Sequence, residues 1–122
     1  SLDDHVKEIA GFLNRPEDNL ALVAADSKDN LYGFAEVGLR PYADGCRSSP
    51  VAYMEGWFVA APVRGRGLGR TLFEAAESWA RGKGLKEMAS DTELENEGGR
   101  KAHEALGYRL VSTNHCFIKK LG

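Results

Sequence analysis

Arg64-Gly65-Arg66-Gly67-Leu68-Gly69-Arg70 sets three glycines at alternate positions among three arginines. Such spacing strips side chains from a turn, so backbone N–H groups can come close to a ligand. If a helix follows, its orphan donors and the positive end of its dipole meet at the same place. The chemistry this favours is phosphate binding. A P-loop is excluded, because no Gly-Lys followed by Ser or Thr occurs. The dinucleotide fingerprint fails too: its last glycine would fall at Arg70 or Leu72. The pattern (Arg or Gln)-x-x-Gly-x-(Gly or Ala) is met at every specified place by Arg64 to Gly69. Taken alone, that pattern also describes a simple glycine-rich connection.

A second set of residues could move protons. In the apolar run 51–60, alternation puts Tyr53, Glu55, Trp57 and Val59 on one face and Ala52, Met54, Gly56 and Phe58 on the other. A charge inside such a run is expensive unless it is paired or lines a wet cleft. Glu55 therefore reads as a base, an amine ligand or half of a structural ion pair. Asp91, Glu93 and Glu95 form an acidic cluster suited to a polycationic ligand, or equally a solvated turn. Glu36 and Asp44 are weaker acidic candidates. Tyr42 and Trp57 could stack on sugar rings or belong to the core. His103 could give or take a proton near neutrality, or merely pack; His5 and His115 have no comparable context.

Composition bounds these readings. The chain has 122 residues, enough for one domain with its own core. Hydrophobic residues at 43% and charged residues at 28% place it among globular proteins. Sixteen basic against eighteen acidic residues leave a net charge of -2, which argues against a general nucleic-acid binder. No apolar run nears the ~20 residues needed to span a bilayer, and the first residues do not read as a signal peptide. Cys46 and Cys116 lie far apart with no metal-binding spacing, so unpaired thiols in a reducing, cytoplasmic setting and no metal site are expected.

Elements must position the candidates. Leu2, Val6, Ile9 and Leu13 recur at helical spacing and predict a helix ending near Pro16. Residues 19–26 and 31–40 read as two strands of a hairpin, 41–50 as a loop and 51–60 as a third strand. The glycine loop then opens a helix with Leu68, Leu72, Ala75, Ala76 and Trp79 on one face, ended by Gly82 and Gly84. Residues 85–91 read as a strand parallel to the third through a crossover. Residues 96–106 read as a helix stopped by Gly107, and 108–112 with 115–121 as a closing hairpin. The order is α/β, one sheet with helices on its faces.

This layout, with the glycine loop between strand and helix and then Asn96 and Ala102-His103-Glu104-Ala105-Leu106-Gly107-Tyr108, resembles the GNAT superfamily of N-acetyltransferases over nearly the whole chain. Arg40-Pro41-Tyr42-Ala43-Asp44-Gly45-Cys46, Glu55-Gly56-Trp57, Ala89 to Asn96 and Cys116-Phe117 look like the aminoglycoside 6'-N-acetyltransferases. The resemblance implies a mixed, mostly antiparallel sheet with helices on both faces and a splayed parallel strand pair. It also implies acetyl-coenzyme A held by Phe58, Val59, Arg64, Gly65, Arg66, Gly67, Leu68, Gly69 and Arg70, with Asn96, Ala102 and His103. Tyr42, Tyr53, Glu55, Trp57, Asp91 and Glu93 would face a cationic amine acceptor.

The implied reaction is direct transfer to that amine in a ternary complex. Val59 N–H would polarise the thioester carbonyl, and Asp91 or Glu55 would deprotonate the amine. His103 stands where many members carry a Tyr proposed to protonate the thiolate, and inherits that candidacy. A polyamine or peptide amine as acceptor, or a non-catalytic coenzyme-binding module, are the competing readings. The resemblance further implies a homodimer. It also implies that a first strand normally precedes the helix at Leu2, so the chain is expected to lack that first strand and 19–26 to form a bare sheet edge.

Overall fold

The computed structural model describes residues 8–12, 19–92 and 96–122, with the backbone alone for 8–12. The chain divides into two compact units, Ser1–Asp91 and Thr92–Gly122, taken in turn.

Period-two burial builds the sheet of the first unit. In β2 (Asn19–Ala25), Leu20, Leu22 and Ala24 are buried and the residues between them are half-buried. In β3 (Leu31–Arg40), Gly33, Ala35 and Val37 are buried while Phe34 and Glu36 are exposed. The antiparallel register matches these sets, pairing Leu20 with Val37, Leu22 with Ala35 and Ala24 with Gly33. β1 (Glu8–Phe12), β2, β3, β4 (Val51–Val59) and β5 (Met88–Ser90) lie side by side in chain order. All neighbours are antiparallel except β4 and β5, which run parallel.

A short 3-10 turn (Ala61–Val63) leads to α1 (Leu68–Gly82), which covers one face of the sheet. Leu68, Leu72, Phe73, Ala76 and Ala80 form its buried stripe, while Ala75 and Trp79, placed on that stripe by spacing, are half-buried. Contact with the sheet is close. A Cβ at Gly33 would lie 2.7 Å from the Phe58 carbonyl oxygen and 3.3 Å from Leu72 Cδ1. The opposite face carries a smaller cluster of Ala43, Val51 and Tyr53, closed by the 41–50 loop, with Cys46 and Ala89 against it. One oxygen of Glu87 pins that loop, accepting from the backbone N–H groups of Arg47 and Ser48 at 2.7 and 2.8 Å and from the Ser48 hydroxyl at 2.6 Å.

Three expectations are corrected. Residues 8–12 are strand, not helix; pairing with the edge of β2 overrides a helical spacing that only four apolar residues carried. The rest of that expected helix, 2–7 and 13, lies outside the described residues. β2 is consequently flanked on both sides and is not the bare edge. The closing hairpin is absent: no strand occurs in 108–122, where Leu110, Val111, Phe117, Ile118 and Leu121 are exposed. Alternation there has no ladder to complete it, and an isolated two-stranded hairpin is marginal in water.

The second unit contains α2 (Glu97–Ala105), close to its expected span. The Asn96 side chain caps it, accepting from Gly99 N–H at 2.8 Å, and Gly107 follows it at φ 91°. No helix among the described residues is long and apolar enough to cross a membrane.

The β2–β3 turn is organised by Asp26. Its carboxylate accepts from the backbone N–H groups of Lys28 (2.9 Å) and Asn30 (3.0 Å), Asn30 Nδ2 (3.0 Å) and the Tyr32 hydroxyl (2.9 Å). Those bonds, the Asn30 side chain foremost, hold the carboxyl far below its ordinary 3.8. A carboxyl depressed in the folded state stabilises the fold fully above that ordinary value and loses its contribution as pH falls below it. Asp26→Ala should therefore lower Tm at neutral pH, and the gap from the parent protein should narrow through the acid range; thermal unfolding followed across pH checks this.

Candidate active site

The site begins where β4 and β5 part. Their parallel pairing joins Ala52 to Met88, Tyr53 to Ala89 and Met54 to Ser90, and stops there. β4 continues to Val59, while the other strand has already ended at Ser90. One edge of β4 from Glu55 onward is thus left without a neighbouring strand among the described residues. Ala60 N–H donates to the Tyr32 carbonyl at 2.8 Å. By the alternation of an antiparallel ladder, Val59 N–H then points away from β3, toward that open edge.

A bulge sets what faces where. Glu36 pairs with Gly56 and Val37 with Met54, so Glu55 is the extra residue of β4. The inserted residue reverses the alternation, which corrects the expected faces. Trp57 does not share the face of Tyr53; it packs edge-on against Phe73 of α1, with centroids 4.7 Å apart. Phe58 turns to the other face and stacks on Phe34 at 5.9 Å, both rings exposed.

The glycine loop follows. Gly65 and Gly67 have φ of 80° and 89°, and a Cβ on either would meet nothing within 4 Å. These left-handed conformations are what glycine supplies cheaply. Gly67 is the N-cap of α1, with no side chain to cap it and no acidic residue in the first turn. The first turn is therefore not capped by a Gly67 side chain and holds no acidic residue that would compete for an anion. Gly69 has a packing reason of its own, since a Cβ would come within 2.7 Å of Trp57 Cζ2. Leu68 is buried in the core and offers the loop only its backbone. Arg64 Nε donates to the Val59 carbonyl at 2.9 Å, fastening the loop to the end of β4; Arg66 and Arg70 are exposed.

The carboxylates separate into two situations. Asp91 is exposed, one residue past the last pair of β5, and accepts from the Tyr53 hydroxyl at 2.6 Å. Burial first, and Asp91 second, push the Tyr53 phenol up to about 12, so it remains a donor. Both oxygens of Glu55 are engaged by Arg40, at 2.6 Å from Nη2 and 2.8 Å from Nε. The guanidinium also lies over the Tyr53 ring, 3.5 Å from its centroid. Sequence reading missed Arg40 as a site residue, because its partners lie 13 and 15 positions away and meet it only across the β3–β4 pair. A cation ending one strand of a hairpin whose other strand holds an isolated Glu was the available signal.

Tyr42 and Asp44 are exposed in the 41–50 loop, and Glu36 is exposed on β3. Glu93 and Glu95 lie outside the described residues. In the second unit, Asn96 caps α2 and Ala102 is half-buried. His103 Nδ1 lies 2.7 Å from the Gly99 carbonyl, which can only accept, so Nδ1 carries the proton. Proton donation from Nε2 would then require the imidazolium form.

A mixed sheet whose parallel strands part beside a glycine turn at a helix N-terminus is the frame of an acyl-transfer fold. Residues 2–108 match the acetyltransferase (GNAT) family model, and the chain belongs to that family. Within it, the chain is 46% identical to the aminoglycoside N(6')-acetyltransferase type 1 of Klebsiella aerogenes, over 97% of this chain and 79% of that protein. It is 36% identical to the protein of the same name from Serratia marcescens, over 100% of this chain and 84% of that one. Among solved structures it is similar to AAC(6')-Iy in complex with the bisubstrate analog CoA-S-monomethyl-acetylneamine, with a TM-score of 0.79 and 36% identity over 85% of this chain and 71% of that one. AAC(6')-Ih from Acinetobacter baumannii gives a TM-score of 0.77 at 32% identity, over 86% of this chain and 72% of that one.

Gly84 also has positive φ (78°) and open space around it, but lies past the other end of α1. Gly67→Val and Gly84→Val should each lose about 1–2 kcal/mol of stability from left-handed strain. Only the first should also weaken coenzyme A binding; calorimetric titration of both variants separates the two effects, and equal weakening would remove the loop from the binding site.

Proposed function

We propose that this chain transfers an acetyl group from acetyl-coenzyme A to the 6'-amine of an aminoglycoside, directly and in a ternary complex. The observation that carries the reading is Asp91, held by the Tyr53 hydroxyl at 2.6 Å, just beyond the point where β4 and β5 part. The names of the relatives support the acceptor class. The family match runs across both units, which supports the whole chain acting as one catalytic domain.

The residues fit the coenzyme. Gly65, Gly67 and the first-turn N–H groups of α1 suit its pyrophosphate, with Arg66 and Arg70 adding positive charge. The open edge of β4 suits its amide-bearing arm, and Val59 N–H the acyl oxygen. When bound, acetyl-coenzyme A supplies an activated thioester.

The chain supplies the rest. An ammonium cannot attack, so a base must first take its proton; as the C–N bond then forms the C–S bond breaks, and the proton the nitrogen sheds offsets the one the departing sulfur takes up. Asp91 is suited to act as that base: its carboxylate is fixed by one hydrogen bond from the Tyr53 hydroxyl and is open to water, which carries the proton away. Glu55 is not, because Arg40 occupies both of its oxygens. Glu55 is committed instead to its ion pair with Arg40, whose charge offsets its own.

The same reading includes a cytoplasmic location, where acetyl-coenzyme A is made, and a homodimer. Leu110, Val111, Phe117, Ile118 and Leu121, exposed in the second unit, are apolar surface that a second copy could cover. Light scattering after gel filtration should give twice the chain mass, and a single-chain mass would refute the dimer.

Thiol release from acetyl-coenzyme A, measured across aminoglycosides, polyamines and peptides, should be fastest with aminoglycosides bearing a 6'-amine. Asp91→Asn should lower that turnover roughly a hundredfold or more while leaving coenzyme affinity unchanged. An unchanged turnover removes Asp91 from the reaction, and a preference for another amine reassigns the acceptor.

A further inference from the structure

Arg40 ends β3 opposite Val51, and its side chain reaches two residues of β4 at once. Its Nε and Nη2 form a fork on Glu55, and its Cζ lies over the Tyr53 ring, 3.5 Å from the centroid. Tyr53 in turn donates to Asp91. One guanidinium is therefore joined to both acidic candidates, directly to one and through a single phenol to the other.

We propose that Arg40 is the positioning residue of the acceptor side, fixing Glu55 and the Tyr53 ring in one arrangement and, through the Tyr53 hydroxyl, the Asp91 carboxylate. The geometry requires this particular side chain. Glu55 sits in a bulge, where the ladder does not dictate its direction, so a two-point contact is what orients it. Tyr53 packs in one cluster with Ala43 and Val51, and the guanidinium lies over its ring. The placement of the side chain as a whole decides where its hydroxyl lies, and hence where Asp91 is held. Lysine could restore the charge but not the planar fork, so charge and shape can be tested apart.

The pair is not a deep structural bridge. Arg40 and Glu55 side chains are 42% and 38% exposed, a setting where ion pairs add little to stability. The effect is therefore expected on turnover rather than on folding. A misplacement near 1 Å can slow a reaction about a hundredfold.

This inference rests on Asp91 as the acceptor-side base, so Asp91→Asn is the reference variant. Arg40→Gln and Arg40→Lys should both lower kcat for aminoglycoside acetylation at least about tenfold, with KM for acetyl-coenzyme A and Tm close to the parent values. Tyr53→Phe should lower kcat as well, and adding Arg40→Gln to it should cost little more, because both act through one chain of contacts. Full kcat in Arg40→Lys would overturn the proposal in favour of charge alone. Multiplying losses in the double variant would overturn the route through Tyr53. If Asp91→Asn keeps full turnover, the acceptor-side reading itself fails; if it loses turnover while Arg40→Gln does not, only the role of Arg40 fails.

Discussion

The parting of β4 from β5 after the Met54–Ser90 pair is the constraint on which the rest of the molecule depends. Sheet hydrogen bonding is otherwise continuous from β1 to β5, and backbone groups in a sheet interior are normally committed to neighbours. Here β4 runs on to Val59 with one edge open among the described residues. That edge lies directly before the glycine turn and α1, so directed backbone donors and a helix N-terminus follow one another along the chain. Asp91 comes from the strand that leaves, so the carboxylate stands where the parting begins.

The bulge at Glu55 is the second half of the same device. It inserts one residue without changing the sheet partner and so inverts the faces of everything after it. Trp57 turns into the core, where it meets Phe73 and leaves room at Gly69 for nothing larger than hydrogen. Tyr53 stays on the other face, free to hold Asp91. The glycine run thus serves two ends: Gly65 and Gly67 permit the left-handed turn, while Gly69 lets the helix sit tightly on Trp57.

Two carboxylates with similar claims in the sequence end with different partners. Glu55 is neutralised by a two-point contact with Arg40, while Asp91 accepts a single phenol and meets water. One carboxylate is suited to holding Arg40 and the other to moving a proton. Proximity to the aromatic Tyr53 ties them together, so the acceptor side behaves as a connected group rather than as separate residues.

The sequence by itself determined the features that are local. The loop glycines, the Asn96 cap, the stop at Gly107, the period-two burial of β2 and β3 and the amphipathic α1 all follow from interactions within a few residues. Family membership was legible too, because its motifs are runs of neighbouring residues. Tertiary structure alone decided what depends on distant partners. Residues 8–12 became strand because β2 offered a ladder, and 108–122 form no strand because no ladder partner completes them. Trp57 changed face because one unpaired residue shifted the β3–β4 register. Arg40 joined the site because that register brings the end of β3 beside Glu55 and Tyr53. Alternation and helical spacing describe a segment in isolation, whereas register, bulges and cross-strand contacts belong to pairs of segments and are set only when the sheet assembles.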